Sequence, residues 1–241
     1  MFDHVTIRVS DREASERFYN TVLATLGLDE PYSSDHYPEW GDFGLAAAND
    51  EKPVTRRLHV AFFAASQAEV DRFWEAGVNA GYRDDGAPGL RPQYAEDYYG
   101  GFLLDPDGNS AEAVHHGRTR KRGALDHLWI RVADVQASKR FYELIAPHAG
   151  IRLTHEQPER VHFGSAAASF GLVAGEPTEN VHMAFPAGSN PTVDAFHRAA
   201  IEAGYRDNGA PGERAVYHRG YYGAYVLDPD GNNIEVVNHN R

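Results

Sequence analysis

The stretch HVTIRV (His4–Val9) alternates polar and apolar side chains strictly, which is the period of a strand with one buried face. Val5, Ile7 and Val9 point to one side, and His4, Thr6 and Arg8 to the other. A helical period follows, with Phe18, Val22 and Leu26 on one face, and Ser10–Glu13 reads as the capping box that opens it. A second round begins with RLHVAFF (Arg57–Phe63). Ser66–Glu69 offers another capping box, to a helix that Gly81 can stop. Two further strands are expected at about Tyr99–Leu104 and Ser110–His115. They are joined by Asp105–Asn109, where Asp-Pro-Asp-Gly suits a tight turn. The pattern predicts strand, helix and strands, then strand, helix and strands again.

A shift of 123 residues lays the second half of the chain on the first. Asp3-His4 falls on Asp126-His127, and Phe18-Tyr19 on Phe141-Tyr142. GYRDDGAPG (Gly81–Gly89) falls on GYRDNGAPG (Gly204–Gly212), and LDPDGN occurs at Leu104–Asn109 and again at Leu227–Asn232. One offset fits all of these, so two homologous domain-sized units are expected. Their bounds are 1–117, with modules at about 1–56 and 57–117, and 124–241, with modules at about 124–179 and 180–241. Residues 118–123, in the basic and glycine-containing run HHGRTRKRGA, read as an exposed linker.

Composition narrows the function more than the fold. A chain of 241 residues has room for two medium domains, each with its own core. The formal net charge of -12 repels phosphate backbones, which argues against nucleic acid as a partner. No apolar run reaches membrane-spanning length and the N-terminus has no signal pattern, so a cytoplasmic protein with no membrane partner is expected. There is no cysteine, so any metal must be held by nitrogen and oxygen.

The polar residues within otherwise apolar strands form a set. The first repeat has His4, His59 and Glu112, and the second His127, His182 and Glu235, at spacings of 55 and 53 residues in both. Two imidazoles and one carboxylate suit a divalent ion with open coordination positions: Fe(II), Mn(II), Ni(II) or Zn(II). Taken singly, each is more often a structural residue, and duplication copies core residues along with functional ones. The LDPDGN turn carries no chemistry in itself. It sets the register of the next strand, and so the face that the glutamate occupies.

With RFYN, YYGGF and DPDGN around them, His4, His59 and Glu112 resemble the vicinal oxygen chelate superfamily: glyoxalase I, the fosfomycin and bleomycin resistance proteins, and the extradiol dioxygenases. The resemblance spans both halves and is most specific in YYGGFLLDPDGNSAE and YYGAYVLDPDGNNIE. It implies an α+β fold of two tandem domains. Each would be a pair of βαβββ modules whose curved, barrel-like mixed sheet encloses a metal pocket. It maps all six residues onto ligand positions. Pairing of adjacent modules would group them by repeat, whereas a swap would join His4 to His182 and Glu235.

The resemblance implies a metal-dependent enzyme, a lyase, isomerase or dioxygenase, acting on a small molecule with vicinal oxygens. Glyoxalase I needs a fourth ligand, a glutamate, yet FGLAAAND (Phe43–Asp50) and FGLVAGE (Phe170–Glu176) have no acid within the strand. An extradiol dioxygenase with Fe(II) in the second domain is the alternative. There His218 and Tyr225 would be catalytic, and the first repeat has Ala95 and Phe102 at the matching positions. A non-catalytic binding protein like the bleomycin resistance proteins is the third reading. Arg8, Arg131, Tyr94, Tyr98, Tyr217 and Tyr221 are candidate substrate-binding residues. His115, His116 and His239 lie at the ends of the repeats, where solvated side chains are expected. The small-molecule substrate is the expected partner, and the chain is either a monomer with internal pseudo-symmetry or a homodimer.

Overall fold

The computed structural model describes residues 1–28, 32–34, 37–117, 123–165 and 168–240, without the side chains of residues 32–34 and 37. All but the final residue of the expected linker lies outside these. Two compact units emerge: Thr6–Trp129, and Met1–Val5 together with Ile130–Arg241. The chain passes from one to the other within β1 (His4–Val9) and within β9 (Leu125–Val132). The fold is α+β, two sheets of mixed strands with four α-helices among the described residues.

The unit Thr6–Trp129 contains α1 (Arg12–Leu23), β2 (Tyr32–Ser34), β3 (Tyr37–Trp40), β4 (Phe43–Ala47), β5 (Leu58–Phe63), α2 (Gln67–Asn79), β6 (Arg83–Leu90), β7 (Tyr99–Leu104) and β8 (Ser110–His115). β6, β7 and β8 form an antiparallel run, β5 lies parallel to β8, and the opening residues of β9 continue beyond β5. β2, β3 and β4 pair antiparallel beside the latter part of β1. The other unit repeats this plan. Its elements are α3 (Val135–Ala149), β10 (Arg152–Gln157), β11 (Arg160–Gly164), β12 (Ser169–Ala174), β13 (His182–Pro186), α4 (Asn190–Glu202), β14 (Asp207–Glu213), β15 (Tyr222–Leu227) and β16 (Asn233–Asn238). There β14, β15 and β16 run antiparallel, β13 lies parallel to β16, and His4 and Val5 of β1 continue beyond β13.

The predicted strands at His4–Val9, Tyr99–Leu104 and Ser110–His115 appear as expected, as does the Ser66 cap of α2 with Gly81 left-handed just past its end. The start of α1 differs by one residue. Asp11 is the cap, accepting from the Ala14 backbone at 2.9 Å, while the Ser10 backbone and hydroxyl both donate to Asp107. A carboxylate is as good a cap as a hydroxyl, and Ser10 is better used anchoring the turn.

That turn holds more than its own register. The Asp105 carboxylate accepts from the Asp107 and Asn109 backbone N–H groups and from the buried Tyr19 hydroxyl at 3.0 Å. Asn109 accepts from the Leu58 backbone at 3.1 Å and donates to the Thr55 carbonyl. The turn therefore ties α1, the start of β5 and the start of β8 together. Asp228, Asn232, Tyr142 and Val181 repeat the device. Burial of Asp228, against its bonds from Asn232 and Tyr142, pushes its carboxyl up to about 6. Beneath lie edge-to-face aromatic contacts such as Phe43–Phe62 and Tyr142–Phe170, all buried. Each such side chain contributes about 1.5–3 kcal/mol. Among the described residues no helix is long and apolar enough to cross a membrane.

Candidate metal centres

The strand register brings the acid and one imidazole together. In the parallel β5–β8 pair Ala61 lies opposite Glu112, and His59 is two residues before Ala61, so both side chains project from one face. The same logic places His182 with Glu235 through Ala184. The second imidazole comes from the neighbouring strand, β9 or β1. The resulting groups are His59, Glu112 and His127 in one unit and His4, His182 and Glu235 in the other. This is the swapped grouping, with one histidine from the far repeat in each case.

Gly100 and Gly223 make room for the acids, since a Cβ at either would collide with the carboxylate Oε1. Both glutamates are buried, at 1% exposure. Glu112 Oε2 lies 2.9 Å from His59 Nε2 and 3.5 Å from His127 Nε2. Glu235 Oε2 lies 3.1 Å from His182 Nε2 and 3.6 Å from His4 Nε2, and the two imidazole nitrogens are 3.0 Å apart. Donors held about 2.1 Å from one ion stand roughly 3.0–3.4 Å apart in octahedral or tetrahedral geometry, so both groups fit a single divalent ion.

A supporting layer orients these donors. Asp126 accepts from His127 Nδ1 at 2.8 Å, and Asp3 from His4 Nδ1 at 2.9 Å, which turns the Nε2 atoms toward the glutamates. His116 bonds the other oxygen of Asp126, and His239 that of Asp3. The expectation that these two histidines are solvated is thus corrected. Each lies at its repeat's end, just past the closing strand, and meets the aspartate that opens the other repeat's first strand. Their signal was the offset itself, because 116 and 239 are 123 apart. The Tyr98 hydroxyl donates to Glu112 Oε1 at 2.6 Å and the Tyr221 hydroxyl to Glu235 Oε1 at 2.7 Å.

Electrostatics follow the geometry. Burial pushes the Glu112 carboxyl up, but the His127 and His59 bonds outweigh it and bring it down to about 2. Burial lowers His127, and Asp126 and Glu112 more than reverse this, raising it to about 9. Glu235 is likewise lowered, burial being outweighed by His182, His4 and Tyr221. Burial and the neighbouring acids keep Tyr98 and Tyr221 protonated. Without a metal ion, a proton on His127 balances the buried carboxylate. A cation would replace that proton.

The remaining candidates fall in different places. Tyr225 lies with its ring 6.2 Å from His182 and within hydrogen-bonding reach of Glu235, and Phe102 takes the equivalent place 6.0 Å from His59. His218 does not face the acid. Its Nε2 meets His239 Nδ1 and its Nδ1 the Arg219 carbonyl, both at 2.8 Å. Tyr94 and Tyr217 are half exposed and pack on Tyr98 and Tyr221. The Arg8 guanidinium donates to the Ala47 carbonyl, and the Arg131 stem lies against Gly175.

These two His2Glu groups on a duplicated plan define a class. The chain belongs to the Glyoxalase/Bleomycin resistance protein/Dioxygenase superfamily, whose profile matches residues 1–113 and again 124–236. It is similar in fold to glyoxalase I from Zea mays, with 20% identity, 99% of this chain and 92% of that chain covered and a TM-score of 0.71. A Bacillus subtilis protein provisionally described as a dioxygenase matches with 14% identity, 100% and 85% coverage and a TM-score of 0.65. No curated protein is significantly similar in sequence. At these identities the structural likeness speaks for the fold alone.

Proposed function

We propose that the protein is a cytoplasmic metal-dependent enzyme acting on a small substrate with two neighbouring oxygens, glyoxalase- or dioxygenase-like in its chemistry. The repeats 1–117 and 124–241 are its two homologous halves, the opening residues of each completing the compact unit of the other. One observation carries this reading: each unit converges two imidazoles on a buried carboxylate at the separations a single divalent ion needs. Bound there, an iron, nickel, zinc or manganese ion would supply Lewis-acid stabilisation of charge on the two substrate oxygens. The protein's own groups do the rest. Asp3 and Asp126 fix the imidazole tautomers, Tyr98 and Tyr221 steer the carboxylates through Oε1, and burial keeps water from the acids.

A second reading applies to the His4, His182 and Glu235 group, an extradiol dioxygenase using iron. Tyr225 favours it, since this hydroxyl has no counterpart at Phe102. His218 acts there through His239 and Asp3 on His4, which makes it a positioning residue.

Elemental analysis of protein purified anaerobically without a histidine tag tests both. Two equivalents of metal per chain are expected. Iron leads to oxygen-uptake assays with catechols, and nickel, zinc or manganese to isomerase and lyase assays. No metal, even after reconstitution, overturns the proposal and leaves a small-molecule-binding protein.

A further inference from the structure

The repeated phrase GYRDxGAPG ends just before an arginine in both halves, Arg91 and Arg214, and the metal groups leave it unexplained. The structure gives the last two glycines of each copy a task. Gly86 and Gly209, both at positive φ, sit against the rings of Phe102 and Tyr225, where a Cβ would stand 3.0 Å and 2.8 Å from the ring edge. Gly89 and Gly212 leave space for the guanidinium, since a Cβ there would stand 2.9 Å from Arg91 Nη1 and 2.8 Å from Arg214 Nη1. The phrase clears a shelf, lays an aromatic ring on it, and lays a guanidinium over the ring.

Arg91 lies 5.4 Å from the centre of the Phe102 ring, and Arg214 lies 5.5 Å from that of Tyr225. Those are the rings beside His59 and His182, and Phe102 and Tyr225 stand opposite Glu112 and Glu235 in register. Each guanidinium is therefore one ring away from a ligand set. It is also held in place: Nη2 donates to Ala87 O or Ala210 O at 2.7 Å, and Nη1 more weakly to the preceding residue's carbonyl. Two carbonyls do not exhaust five N–H donors or cancel a charge. Arg12, Arg17 and Arg72 each pair with a carboxylate, whereas among the described residues neither Arg91 nor Arg214 does. In a chain of net charge -12, a pre-positioned arginine without an acid partner points to an anion from outside.

The surface nearby adds a second property. Of the five exposed large apolar residues among those described, four lie at or next to these arginines: Leu90 and Tyr94, then Val216 and Tyr217. Exposed apolar side chains gathered around a charged group suit a ligand with an apolar body.

We propose that Arg91 and Arg214 are the anion-binding arms of the two sites, and that the ligand is a carboxylic acid with an apolar body and two neighbouring oxygens. The chelating half of this rests on the metal reading above, and the carboxylate half rests on the arginines alone. The probes are 3,4-dihydroxybenzoate and its methyl ester, which share the oxygen pair and differ in the charge. Calorimetry on metal-loaded protein is expected to show the acid binding at least about tenfold more tightly than the ester, the scale of one charge-assisted pair. The double variant Arg91→Gln/Arg214→Gln is expected to erase that preference, leaving ester affinity and metal content unchanged. An arginine that merely staples its own strand would lower the melting temperature of the variant without moving the ratio, and an unmoved ratio overturns the proposal.

Phenylglyoxal labelling of metal-free protein, mapped by mass spectrometry, separates the two halves. Benzoate is expected to protect Arg91 and Arg214 from modification, and methyl benzoate is not. Protection in a protein that binds no metal would sustain the anion arm while the metal reading fails. Absence of protection would sink the arm even if both metals bind.

Discussion

The two ligand groups are copies in their donors and differ in what surrounds them. Around His59, Glu112 and His127 stand Phe102 and the Ser110–Asp85 pair on His59. Around His4, His182 and Glu235 stand Tyr225, the Asn233–Asn208 pair on His182, and His218 extending the chain from His239 and Asp3. The aspartate, tyrosine and glycine that aim each donor are the same in both. The donor arrangement and its support are thus what the copies share. The walls are where the copies separate, and with them the chemistry each can perform.

The strongest way to break the comparison is to remove one carboxylate at a time. Glu112→Gln and Glu235→Gln are each expected to cost one equivalent of metal and leave the other, read by elemental analysis after dialysis. Loss of both from either variant would show that the groups are not independent. Next come the aspartates. Asp126→Asn and Asp3→Asn leave the imidazole orientation unsupported and are expected to weaken metal binding 10–100-fold at their own group only, read by competition with a chromogenic chelator.

Removing a tyrosine hydroxyl has a smaller effect. Tyr98→Phe and Tyr221→Phe each delete a hydrogen bond to a buried carboxylate, about 1.5–3 kcal/mol, seen as a lowered melting temperature of similar size in both. A large inequality would mean that the copies differ in their support as well as in their walls.

In metal-free protein, pH sharpens the comparison further. His127 is raised to about 9 in the folded state, so its contribution is complete below its unfolded value near 6.5 and fades as pH rises toward 9. Glu112 is depressed to about 2, so its contribution is complete above about 4.5 and fades as pH falls toward 2. The part of the melting temperature that this pair carries, read as the difference from Glu112→Gln, is therefore expected to be flat between these limits and to decline on both sides. Metal replaces the proton on His127, so loading is expected to remove the alkaline decline. An apo profile unchanged in Glu112→Gln would contradict the assignment. The smallest effect belongs to the walls: Tyr225→Phe and Phe102→Tyr are expected to leave metal content untouched and to change ligand preference only at the altered group.

Much of this was legible in the sequence because it depends on local chemistry. Alternation placed β1, the Asp-Pro-Asp-Gly turn placed β7 and β8 on either side of it, and the 123-residue offset revealed the duplication. The six donors stood out as polar residues in apolar strands. Their grouping did not, because strand order is a property of the sheet, and both pairings leave the same residues facing inward. The supporting histidines were hidden for a related reason. His116 and His239 reach Asp126 and Asp3 only because the first strand of the other repeat joins the sheet, one strand away from the closing strand. His218 was a candidate catalytic residue through the dioxygenase resemblance, yet its ring nitrogens are taken by His239 and a backbone carbonyl.

The grouping also sets an order of assembly during synthesis. His59 and Glu112 are 53 residues apart, whereas His4 waits for His182, 178 residues later, a closure about 1 kcal/mol more costly in chain entropy. A ribosome delivering 5–20 residues per second, roughly, exposes His59, Glu112 and His127 several seconds before Glu235 leaves the tunnel. The first group can close on the nascent chain, while His4, made earliest of all six donors, is the one whose partners arrive last.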